Sequence, residues 1–135
     1  MQKISIEALA RQQLKAAANS TSGRAADTVF GGHEKIMRQT VTALLDGSSM
    51  SEHENPGEAT IYVLSGRVQL RMDDIDWEGR TGDLLIVPDA RHSLVAIEDS
   101  AVLMTVALSS ARRSRLSQGN SGRRQVVRSG SSAGT

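Results

Sequence analysis

Cysteine is absent from the chain, which excludes a disulfide framework and any thiolate metal site and makes a reducing compartment natural. Aromatic side chains are nearly absent as well. Phe30, Tyr62 and Trp77 stand alone, so no surface for stacking nucleic-acid bases is on offer. No apolar run approaches the roughly 18 to 20 residues of a membrane span, and the N-terminus lacks the apolar centre of a signal peptide. The expectation is a soluble, cytoplasmic protein with no membrane partner. No helix-turn-helix is visible, which argues against sequence-specific reading of nucleic acid.

What is there divides by charge. The 135 residues carry a formal net charge of +1. Residues 1–108 hold 10 Lys+Arg and 15 Asp+Glu, so 10 − 15 = −5; residues 109–135 hold six arginines and no acid, +6. Those arginines are Arg112, Arg113, Arg115, Arg123, Arg124 and Arg128. After Leu108 the composition collapses to Ser, Gly and Arg, which cannot bury enough apolar surface to offset its ordering entropy, so residues 109–135 read as a disordered basic tail. Such a tail attracts acidic surfaces or nucleic acid only nonspecifically.

Residues 5–18 are mostly strong helix formers, with Ser5 placed to cap, Glu7 in the first turn and an apolar stripe of Ile6, Leu9, Ala10 and Leu14. A helix there packs on the outside of a sheet or on a partner. Asn19–Ala26 reads as a Ser/Thr/Gly-rich connector, so residues 1–32 form a helix and connector. From Lys35 the period becomes two: Met37, Gln39, Val41 and Ala43 share one strand face, and Ala59, Ile61 and Val63 alternate with Thr60, Tyr62 and Leu64. Residues 67–72 alternate strictly, 75–78 read as an edge strand, and 84–87, 93–97 and 102–108 complete the set. Short strands divided by turn signals, with no helix between them, predict an all-β sandwich or barrel over residues 33–108. Ala101–Leu108 is apolar on both faces, as in a strand covered by a second subunit, which predicts a homodimer. The acids Asp73, Asp74, Asp76 and Glu78 lack calcium-loop spacing and read as a solvated hairpin.

Two stretches organise the chain: Gly47–Gly66, GSSMSEHENPGEATIYVLSG, and Gly82–His92, GDLLIVPDARH. Together they resemble the two motifs of the cupin superfamily, and the small cupins labelled as LuxR-type regulators in particular. Gly47, His53 and Gly66 fit the first motif, with Asn55 at its second histidine and Glu58 displaced; Gly82 and Pro88 fit the second, with Ala90 for Gly and His92 one residue early. The resemblance covers roughly residues 30–108 and implies a single cupin-type jelly-roll β-barrel. It also implies a site inside that barrel, where a full motif set holds a divalent metal on three histidines and a glutamate.

Here only His53 and His92 carry over as ligands, with Asn55, Glu58 and His33 as candidate additions. Two imidazoles suit Zn, Fe, Mn, Ni or Cu but bind weakly when little else joins them. Counting back six residues from Gly66 puts Ala59, not Glu58, at the glutamate position, and one residue of shift reverses the face. Glu58 then reaches the interior only through a bulge. The implied pocket is walled by Ala59, Ile61, Val63 and Leu94, with His53, Asn55, His92 and, if its strand face points inward, Gln39 as orienting polar groups. The expected function is binding of a small molecule and a weakly held metal, in an accessory or regulatory role. The alternative is a metal-dependent enzyme of the oxygenase or isomerase type.

Overall fold

The computed structural model describes residues 1–31, 34–53, 57–88 and 90–108, with backbone alone at 51–53 and 108. It contains one helix, α1 (Ile6–Ala18), then nine strands: β1 (Arg24–Phe30), β2 (Met37–Leu44), β3 (Ser49–His53), β4 (Gly57–Ser65), β5 (Arg67–Met72), β6 (Ile75–Arg80), β7 (Leu84–Val87), β8 (His92–Ala96) and β9 (Ser100–Leu108). They form two sheets, one ordered β1-β2-β9-β4-β7 and the other β3-β8-β5-β6. Every pairing is antiparallel. The predicted jelly roll is the fold, with the helix outside it.

Ser5 caps α1: its Oγ accepts from the Ala8 N–H at 3.2 Å, and Glu7 and Lys15 sit at the ends where the helix dipole favours them. Ile6, Leu9, Ala10 and Leu14 lie over Val41, Ala101 and Leu103 on the outer face of the five-stranded sheet. The two-sided apolarity of β9 is therefore met within one chain, by α1 outside and the core inside, and does not require a second subunit. Between the sheets, Leu44, Met50, Ile61, Val63, Val68, Leu70, Leu94 and Val102 form the packed core.

Two strands were not legible as strands. Residues 24–30, inside the expected connector, form β1, so the sheet begins well before residue 33. Residues 49–53, which none of the expected strands covers, form β3. The tail, residues 109–135, lies outside the described residues.

The sheets cross over at one end of the barrel. β3 ends and β4 begins there, as β7 ends and β8 begins. The pairings Met37↔Ala107, Gly57↔Leu108 and Arg71↔Ser93 bring the start of β2, the ends of β9 and β5, and hence the Asp73-Asp74 turn, to that same end. Along one side the edge strands β6 and β7 leave a seam, a groove of about 780 Å³ lined by Asp76, Trp77, Glu78, Leu84, Leu85, Ile86 and Pro88. Among the described residues no helix is long and apolar enough to cross a membrane.

Candidate functional site

His92 opens β8 and shares its face with Leu94 and Ala96, both in the core, so its imidazole points between the sheets and is only 4% exposed. Its Nδ1 lies 2.9 Å from the Ala90 carbonyl oxygen. A carbonyl only accepts, so Nδ1 carries the proton; in the neutral ring this leaves the lone pair at Nε2, the tautomer a metal or a donor group on a ligand requires.

His53 is the Cα partner of His92 across the β3–β8 pair. Directly opposed residues of an antiparallel pair share a face, so position 53 is on the inner side with His92. The route to that placement is a register shift between Met50 and His53: Met50 pairs with Leu94 and His53 with His92, three residues against two. Met50 is in the core, and strict alternation would then turn position 53 outward. The extra residue turns it back. The side chain of His53, together with Asn55 and His33, lies outside the described residues. The strands that flank them, which end at Phe30 and His53 and restart at Met37 and Gly57, terminate at the crossover end.

Glu58 is not brought to this site. It is exposed on the outer face of β4, opposite Ala107, while Ala59 packs against the core from the inner face. Its strand has a register shift, but between Val63 and Ser65, at the other end of β4, where it does not alter the parity of Glu58 at the site end.

Gln39 is also elsewhere, which corrects the inward reading of its face. It shares a face with Val41, which lies under α1, so it is on the outer side of the sheet, where its Nε2 donates to Thr105 Oγ1 at 3.2 Å. The inward face of β2 carries Thr40, Thr42 and Leu44 instead. Thr42 donates to Met104 Sδ at 3.8 Å, and the Thr40 and Thr28 hydroxyls lie 3.3 Å apart.

The expected pocket walls are also revised. Ile61, Val63 and Leu94 are fully packed core residues, so the middle of the barrel is solid. At the crossover end the inner face carries Ala59, Val87 and His92. Among the described residues no three of His, Cys, Asp and Glu converge as a metal site would require.

A family model described as Cupin domain matches residues 40–108. No curated protein matches the chain. Among solved structures, the chain is similar to a conserved protein of unknown function from Streptococcus pyogenes, with 23% identity and a TM-score of 0.60 over 67% of this chain and 78% of that one. It is also similar to a Cupin 2 conserved barrel domain protein from Salinispora arenicola, with 17% identity and a TM-score of 0.61 over 87% of this chain and 97% of that one. A third is a cupin superfamily protein from Desulfitobacterium hafniense, with 20% identity and a TM-score of 0.59 over 64% and 78%. At these identities the likeness concerns the fold.

Proposed function

Because the chain belongs to the cupin domain family, we propose that it binds a small molecule at the crossover end of its barrel, with a divalent metal held weakly by His53 and His92, in an accessory or regulatory role. The observation that supports this reading is the register His53↔His92, in which the two positions stand directly opposite across the β3–β8 pair. Neutral imidazoles suit Zn, Fe, Mn, Ni or Cu, and a site with two of them leaves positions open for a ligand. Asn55 and His33, on the chain segments between the strands that end there, are the reserve donors. The inner face of β4, which carries Ala59, Ile61 and Val63 while Glu58 is on the outer face, offers no carboxylate, which argues for weak binding rather than a tightly held catalytic ion.

Substituting His53→Ala and Glu58→Ala in parallel tests the reading, with metal content followed by elemental analysis and native mass spectrometry on untagged protein. His53→Ala is expected to weaken metal binding by more than the roughly 10- to 100-fold that loss of an outer-sphere partner causes. Glu58→Ala is expected to leave it within about twofold, since an exposed residue on the far face touches nothing at the site. Equal loss from both, with stoichiometric metal in the unmodified protein, would favour a metal-dependent oxygenase or isomerase instead.

Association into a homodimer belongs to the same proposal. Among the described residues β1 is a seven-residue edge strand with one side unpaired, and Phe30, Ile36 and Met37 are exposed beside it. Light scattering at micromolar concentration should return the mass of two chains, and Phe30→Glu should return that of one. A single-chain mass for the unmodified protein would count against association.

A further inference from the structure

We propose that the groove between β6 and β7 is the docking surface for this chain's own basic segment, residues 112–116, Arg-Arg-Ser-Arg-Leu. The groove has an apolar floor and wall, Trp77, Leu84, Ile86 and Pro88, with Trp77 44% exposed and Leu84 and Ile86 more so. Its acids are Asp76 and Glu78. Glu78 is shared between Arg67 at 3.6 Å and Arg80 at 3.3 Å. Asp76 and the neighbouring turn acids Asp73 and Asp74 have no ion pair among the described residues. An exposed apolar cleft with unneutralised acids at one end fits a partner that is basic and carries at least one apolar side chain.

The chain itself supplies that partner. Residues 1–108 sum to −5 and residues 109–135 to +6, by the counts above. Topology puts the two in reach. β9 ends at Leu108, opposite Gly57, at the same end of the barrel as Pro88 and the Asp73-Asp74 turn. In the sheet only β4 separates β9 from β7, so the distance to cross is two strand spacings, about 10 Å. Residues 109–111 span about 10 Å when extended, which brings Arg112 to the groove. There Arg112, Arg113 and Arg115 can meet Asp76, Asp74 and Asp73 or stack on the Trp77 ring, and Leu116 can cover Ile86. None of this requires the segment to adopt one fixed fold, since screened charge attraction and a few apolar contacts hold an ensemble as well as a single pose.

Trp77 is the only tryptophan, so fluorescence excited beyond the absorption of Tyr62 reads this groove. The test compares the full chain with its Arg112→Gln, Arg113→Gln, Arg115→Gln variant, using acrylamide as a neutral quencher. A short tether gives an effective concentration near millimolar, so a millimolar contact is about half populated and its loss raises the quenching constant about twofold. About 1 M salt, where the screening length falls to about 3 Å, should raise the unmodified chain to the variant's value and leave the variant unchanged. Asp73→Asn with Asp76→Asn should reproduce the triple variant from the other side. Equal quenching in the variant and unmodified chains overturns the proposal. So does protection that persists in the triple variant and grows with protein concentration, because the occupant is then a second copy.

Discussion

Replacing Gly66 by alanine is expected to destabilise the protein by about 3 kcal/mol or more and to lower its unfolding midpoint by roughly 15 °C. Gly66 turns the chain from β4 into β5, and so from one sheet to the other, with φ +87°. A side chain there is strained by its conformation alone. It would also run into the backbone of Asp99 and Ser100, which cannot retreat. Ser100 is completely buried and holds the junction: its Oγ accepts from the Arg67 N–H at 2.9 Å and shares its one proton between the carbonyls of Glu98 at 2.7 Å and Arg67 at 3.0 Å. A methyl at position 66 displaces this connection as well as straining the turn. Gly82 is the control. Its φ is +93° but nothing stands within 4 Å of its missing Cβ, so Gly82→Ala should show the conformational strain alone, about 1 kcal/mol. Chemical denaturation of the two variants separates the terms. Equal losses would mean that the contact with Asp99 and Ser100 costs nothing.

Ile61→Ala is expected to cost about 3 kcal/mol, while Tyr62→Ala, one residue along, should cost about 1 kcal/mol or less. Ile61 is 1% exposed within the core between the sheets, so truncation leaves a cavity among close-packed neighbours. Tyr62 is 41% exposed on the opposite face, opposite Leu84, beyond the area that α1 covers. Thermal unfolding of both variants measures the contrast. A loss at Tyr62 matching that at Ile61 would indicate that a partner covers the outer face of β4 in solution.

That contrast marks how far the sequence could be read. Both faces of β4 look apolar, and alternation alone assigned Ile61 and Val63 to one side and Tyr62 and Leu64 to the other. What it could not supply was which neighbour covers which side. Leu64 lies under α1 and Tyr62 does not. The same ambiguity left the reading of β2 open. Alternation grouped Gln39 with Val41 and Ala43 without saying which way that face points; it is the seat of the helix, while threonines face the barrel. Small hydroxyls there are tolerable because each finds a partner, and apolar residues outside are required because a helix rests on them. β1 was missed because its sequence, RAADTVF, has no alternation of buried and exposed positions to show. β3 was missed because Ser, Glu and His dominate it and an extra residue breaks its period. A signal for that bulge existed: Met50, a core-type residue, and His53, at a ligand position, stand an odd number apart, and both can face inward only if the strand carries one residue more.

The position of β9 bears on how the chain can fold as it is made. It is the last strand described, yet it lies in the middle of its sheet, between β2 and β4, and joins Met37 to Ala107 across most of the barrel's sequence. Until residue 108 has left the ribosome, β2 and β4 each present an open side, and the helix has only the β1–β2 hairpin on which to rest. Assembly is therefore not progressive from the N-terminus: closure waits on β9, and its long-range pairings place folding in the millisecond-to-second range of high-contact-order β proteins. During synthesis the apolar β4 segment is the part most in need of shielding from other nascent chains.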